Sequence, residues 1–111
     1  MTNPIEELES LFAQTTQGEW ETNGTFIYRE EPSVVIAYCE DERAVNDHKF
    51  NTRHAAVMHN VMPALLELLK CTAKAEAVIN GRELGSMDTL LTLIKHKHNM
   101  VVNALRKELK K

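Results

Sequence analysis

Five histidines are the side chains best suited to chemistry in this chain: His48, His54, His59, His96 and His98. A metal-binding pair on one helix needs i, i+4 spacing, so that both imidazoles share a face. His54 and His59 stand five apart, His96 and His98 two apart, and no HExxH occurs, so no metal site is expected. Nucleophiles are no better placed. Cys39 and Cys71 form no CxxC, and neither has the helix-start or glycine-turn setting that favours a thiolate. Ser10, Ser33 and Ser86 lie outside any GxSxG, and the four glycines are too scattered to cradle a phosphate. Glu40, Asp41 and Glu42 are adjacent acids in a polar link, a pattern normally solvated. No catalytic residue and no cofactor is expected, and the chain reads as non-enzymatic.

Anion binding is the chemistry left open. Arg29, Lys49 and Arg53, with His48, His54 and Asn60, come together if the first half of a helix lies across a sheet, and Trp20 or Tyr28 would then stack a base. The candidate ligand-binding residues are therefore Arg29, Lys49, Arg53, His54, Asn60 and Trp20, in a nucleotide-type pocket more easily built between subunits than inside so small a chain. The charge distribution bears on partners. Residues 1–42 hold ten acids and one base, a net of −9, whereas residues 43–111 carry +6. Such halves can neutralise each other within the fold or across a dimer. The basic end, with Lys95, Lys97, Arg106, Lys107, Lys110 and Lys111, complements a helix C-terminal dipole, or else meets a nucleic acid.

The elements that must position these residues follow from 111 residues, 43% hydrophobic and 26% charged, which suits one domain over 1–111. No basic leader precedes an apolar run, and no stretch approaches the length of a membrane span, so a cytoplasmic protein with reduced thiols is expected. Asn3-Pro4 opens a helix with Ile5, Leu8, Leu11 and Phe12 on one face. The period then changes to two. Asn23-Gly24 between β-rich runs predicts a type I′ hairpin, and SVVIAYC a third strand, with Val34, Ile36 and Tyr38 opposite Val35, Ala37 and Cys39.

Asn46 or Asp47 can cap the next helix, whose face is Phe50, His54, Val57, Met58 and Val61, continued past Pro63 by Leu65, Leu66 and Leu69. Pro63 removes a backbone donor and clashes with the carbonyl four residues earlier, so a kink or a break near Asn60 is expected. On these stripes His54 and His98 read as core or interface histidines. Asn80-Gly81 ends the helix and Ser86 caps the last one, Met87 to about Leu109. The fold class expected is α+β: a short N-terminal helix, a three-stranded antiparallel sheet, then a Pro-kinked helix and a long C-terminal helix packed on one sheet face. The last helix is apolar at Leu90, Leu91, Ile94, His98, Val101, Val102 and Leu105. That stripe is wider than one intramolecular seam needs, so these residues are the expected interface of a homo-oligomer.

Several elements carry a resemblance, among them an IA-x-C element, Ile36 to Cys39. Thr16-Gln17-Gly18-Glu19-Trp20 is a TxGxW-like segment, and Met58-His59-Asn60-Val61-Met62-Pro63-Ala64-Leu65-Leu66-Glu67 follows an F-x-x-x-H-A-A run. Across roughly residues 5–70 the chain resembles the small Ead-type accessory proteins of tailed phages and prophages. It departs from their pattern at Gln17, where a glycine-proline pair is usual, and over residues 48–53, which replace a more alanine-rich run. The resemblance implies a phage accessory function and no catalytic residues. The partner it suggests is a host protein, such as a defence component that the chain binds and inhibits through its acidic half. The alternatives are an oligomeric sponge for a nucleotide immune signal and a basic C-terminal helix that binds nucleic acid.

Overall fold

A computed structural model describes residues 3–23, 26–30, 34–38 and 45–111, with side chains throughout except at 38 and 45–49. The order is α1 (Pro4–Gln14), β1 (Glu21–Thr22), β2 (Phe26–Arg29), β3 (Val34–Tyr38), α2 (Val45–Ile79) and α3 (Met87–Leu109), an α+β chain as expected. It divides into two compact units, residues 13–60 and residues 1–12 with 61–111.

In the first of these, the strands form an antiparallel meander in the order β1-β2-β3. Thr22 pairs with Ile27 and Glu21 with Tyr28, and the Asn23 N–H donates to the Phe26 carbonyl at 3.3 Å. Asn23 therefore belongs to the paired arm rather than to the loop, one residue off the predicted Asn23-Gly24 turn. Gly24 and Thr25 lie outside the described residues, and so does the turn type. On the other side, Ile27 faces Ala37 whereas Tyr28 faces Val35, so β3 carries one extra residue, Ile36. This bulge breaks the strict alternation predicted for β3. Val35 thereby opposes Tyr28, on the face of β2 that also carries Phe26. The opposite face carries Ile27, which is buried; α2 supplies the other buried side chains of this unit, Thr52, Ala56 and His59.

The remaining unit is helical. Its buried side chains are Val61, Leu66 and Ala75 of α2 and Leu90 and Glu108 of α3, with Glu108 in an ion pair to Lys111 at 3.2 Å. No side chain of α1 is fully buried, and Leu11, expected on its apolar face, is exposed. Helix α1 is tied to α2 by Glu9 and Lys70, which holds the Lys70 ammonium above its usual range. That pair joins the acidic part of the chain to the basic part, although solvent screens so exposed an ion pair. Lys97 of α3 reaches Glu67 of α2 at 3.7 Å.

The helix ends are set by local hydrogen bonds. Asn3 Oδ1 accepts from the Ile5 N–H at 2.8 Å, and Ser86 Oγ from the Thr89 N–H at 3.4 Å. Helix α2 begins at Val45, ahead of the expected caps Asn46 and Asp47, and runs through Pro63 as one helix of 35 residues; it does not stop near Asn60. It closes in a Schellman turn. The Gly81 N–H donates to Val78 O at 3.1 Å and the Arg82 N–H to Ala77 O at 2.8 Å, with Gly81 at φ +73°. A Cβ at Gly81 would meet no atom within 4 Å, so the cost of Gly81→Ala is conformational, about 1–2 kcal/mol. Chemical denaturation should show that loss with an unchanged m-value.

Candidate functional site

Between α1 and β1, residues 15–20 make neither helix nor strand, so their backbone carbonyls must find other donors. Side chains supply them. Gln17 Nε2 donates to Thr15 O at 2.9 Å, Trp20 Nε1 to Thr16 O at 2.8 Å, and Arg29 Nη1 to Gln17 O at 2.9 Å. His59 Nε2 lies 3.0 Å from Gly18 O, and Asn60 Nδ2 donates to Trp20 O at 2.9 Å. Asn60 also accepts from the Trp20 N–H through Oδ1 at 2.8 Å, so one amide serves both backbone groups of Trp20. The Trp20 indole stacks on the His59 imidazole, with ring centroids 3.7 Å apart and planes within 6°.

The loop thus docks on α2 through Trp20 and Gly18. Gly18 sits at φ +99°, and a Cβ there would come within 3.1 Å of Arg29 Cδ. Both the backbone angle and the close passage of the Arg29 stem call for glycine. Because a carbonyl can only accept, the His59 nitrogen facing Gly18 O carries the proton. Burial holds His59 below its usual range, opposed by that bond to Gly18. The cluster is suited to holding a loop.

A stability consequence follows. The unfolded imidazole takes up a proton as the pH falls through 6.5, whereas the folded one resists until a lower pH. Within that window the unfolded state binds more protons, so stability is fully present above 6.5 and declines on acidification. The melting temperature should fall from about pH 7.5 to about pH 5.5, and the slope should be smaller in His59→Gln. Equal slopes would show that the stacked imidazole is not the titrating group.

The expected ligand-binding residues separate. Trp20, Asn60 and Arg29 meet around residues 17–20, each hydrogen-bonded to the loop or to α2. Arg53 and His54 are exposed on α2, and the Lys49 side chain lies outside the described residues. His54 and His98, expected as core or interface histidines, are exposed and so lie outside the core; among the described residues His59 is the buried histidine. Of the expected oligomer interface, Leu90 belongs to the chain's own core. Leu91 and His98 are exposed, and Ile94, Val101, Val102 and Leu105 are half-buried. Periodicity missed the partnership of Gly18 with His59. The signal that could have found it was the pairing of Gly-x-Trp with a helical His-Asn, two chemically distinctive dipeptide-scale elements.

Among the described residues, no group of three or more His, Cys, Asp or Glu side chains is arranged to hold a metal ion, and no helix is long and apolar enough to cross a membrane. An open groove is lined by three acids, Glu6, Glu9 and Glu83, and two bases, Lys70 and Lys74, of which Glu9 and Lys70 pair with each other. What residues 13–60 do offer is apolar surface. On the sheet face opposite Ile27, Phe26 is 40% and Val35 62% exposed, and Phe50 of α2 is exposed too. No family model, curated protein or solved structure matches the chain.

Proposed function

We propose that this is a phage-encoded, non-enzymatic accessory protein that works in the host cytoplasm by binding and inhibiting a host protein, one that serves host defence. The observation that carries the reading is the apolar face of the sheet exposed at Phe26 and Val35. Apolar side chains displayed on strands suit a protein surface better than a small molecule, which needs concavity. Strand β3 is also one of the two edges of the described sheet, where a partner's extended segment can add by backbone pairing. The acidic balance of residues 1–42 favours a basic partner. The phage assignment rests on the resemblance through residues 16–20 and 58–67.

The test is capture of host-lysate proteins on the tagged chain, run beside Val35→Glu and Phe26→Glu, with melting curves to show that both variants fold. The reading expects a host protein retained by the wild type and lost with Val35→Glu. Retention that is indifferent to both substitutions would overturn it.

A further inference from the structure

Helix α3 carries a second seam beside the one it buries. Its inward line runs through Leu90, Lys97 and Glu108, of which Leu90 and Glu108 are buried and Lys97 pairs with Glu67. The next line runs Asp88, Leu91, Lys95, His98, Val102, Leu105 and Leu109. The intervals are 3, 4, 3, 4, 3 and 4, a heptad spacing held from end to end. Leu91 is 57% and Leu109 60% exposed, one near each end of that line.

We infer that this line is the interface of an antiparallel homodimer, its occupant a second copy of α3. Charge chooses both the occupant and the direction. Parallel pairing would set Lys95 against Lys95 and Asp88 against Asp88 and align the two helix dipoles. Antiparallel pairing opposes the dipoles and brings Asp88, near the N-terminus, to the Lys110–Lys111 end of the second copy. Antiparallel heptads pair each position of one set with the other set. The register that centres on Met100 therefore sets Leu91 against Leu109 of the second copy, and His98 against its Val102. The two most exposed leucines of the face cover each other, and both Lys95 side chains sit over Leu105 with their ammonium groups at the rim. This inference does not depend on the host-protein reading, because the sheet belongs to the other unit of the chain.

The experiment is sedimentation equilibrium of the full chain up to about 100 µM. Twice the 12.6 kDa chain mass is expected, with Leu91→Glu and Leu109→Glu each weakening the dimer at least about tenfold. Both positions are exposed, so either variant can fold, and melting curves check that it does. Orientation is read by mixing single-cysteine variants, Leu91→Cys with Leu109→Cys, in a background with Cys39 and Cys71 changed to serine. A 91–109 disulfide forming ahead of 91–91 supports the antiparallel pair. A monomer at all concentrations, a dimer indifferent to both glutamates, or faster 91–91 crosslinking would overturn it.

Discussion

Asn60→Ala is expected to destabilise the protein by about 2–4 kcal/mol, and to lower its melting temperature by roughly 10–20 °C. The side chain sits on α2, forty residues along the chain from Trp20, and hydrogen-bonds both the N–H and the carbonyl of that residue. Truncation removes two bonds worth about 1 kcal/mol each and leaves two part-buried backbone groups without that partner, which accounts for the rest. Asn60→Asp separates the contributions. It still accepts from the Trp20 N–H but has no proton for the Trp20 carbonyl, so about half the loss is expected. The fluorescence of Trp20, the chain's one tryptophan, should shift toward that of a solvated indole in the alanine variant below its melting point. If Asn60→Ala melts within about 2 °C of the wild type, the loop is held by something else.

Leu66→Ala should cost a similar amount, about 2–5 kcal/mol, for a different reason. Leu66 is 5% exposed, in the stretch of α2 just beyond Pro63. Its loss opens a cavity among side chains that collapse only partly. Ile79→Ala, at the exposed end of the same helix, is the control and should stay within about 0.5 kcal/mol. Denaturant midpoints for the two variants check the contrast; equal midpoints would mean that residues 61–111 lack the core described.

What was legible in the sequence was local. Asn3-Pro4, Asn80-Gly81 and Ser86 each act through hydrogen bonds to residues two to five positions away, so composition alone marks them. The meander was legible for the same reason, since its turns lie between β-rich runs. The break expected near Asn60 failed because the cost of a helical proline is a local penalty of about 3 kcal/mol. Side chains anchored on both sides of Pro63 offset it: His59, Asn60 and Val61 before, Leu66 after. The helix phase failed through size. The large residues Phe50 and Met58 drew the apolar line toward themselves. The buried line of residues 13–60 in α2 instead uses Thr52, Ala56 and His59, and leaves Phe50 and Met58 exposed. The bulge at Ile36 depends on how two strands pair, and the docking of Trp20 on Asn60 spans forty residues; no periodicity reports either. Trp20, Arg29 and Asn60 stand out in the sequence as residues suited to chemistry, and the structure uses them to satisfy loop carbonyls.

If Trp20, Arg29 and Asn60 serve to hold the loop to α2, binding falls, as proposed, to the exposed apolar face of the sheet. The most direct measurement is thermal melting of the purified chain against a panel of linear and cyclic nucleotides. A flat panel is expected, with every ligand within about 1 °C of the free protein. A shift of several degrees with one nucleotide, abolished in Arg29→Ala and Arg53→Ala variants that still fold, would contradict it and assign the loop cluster to a ligand.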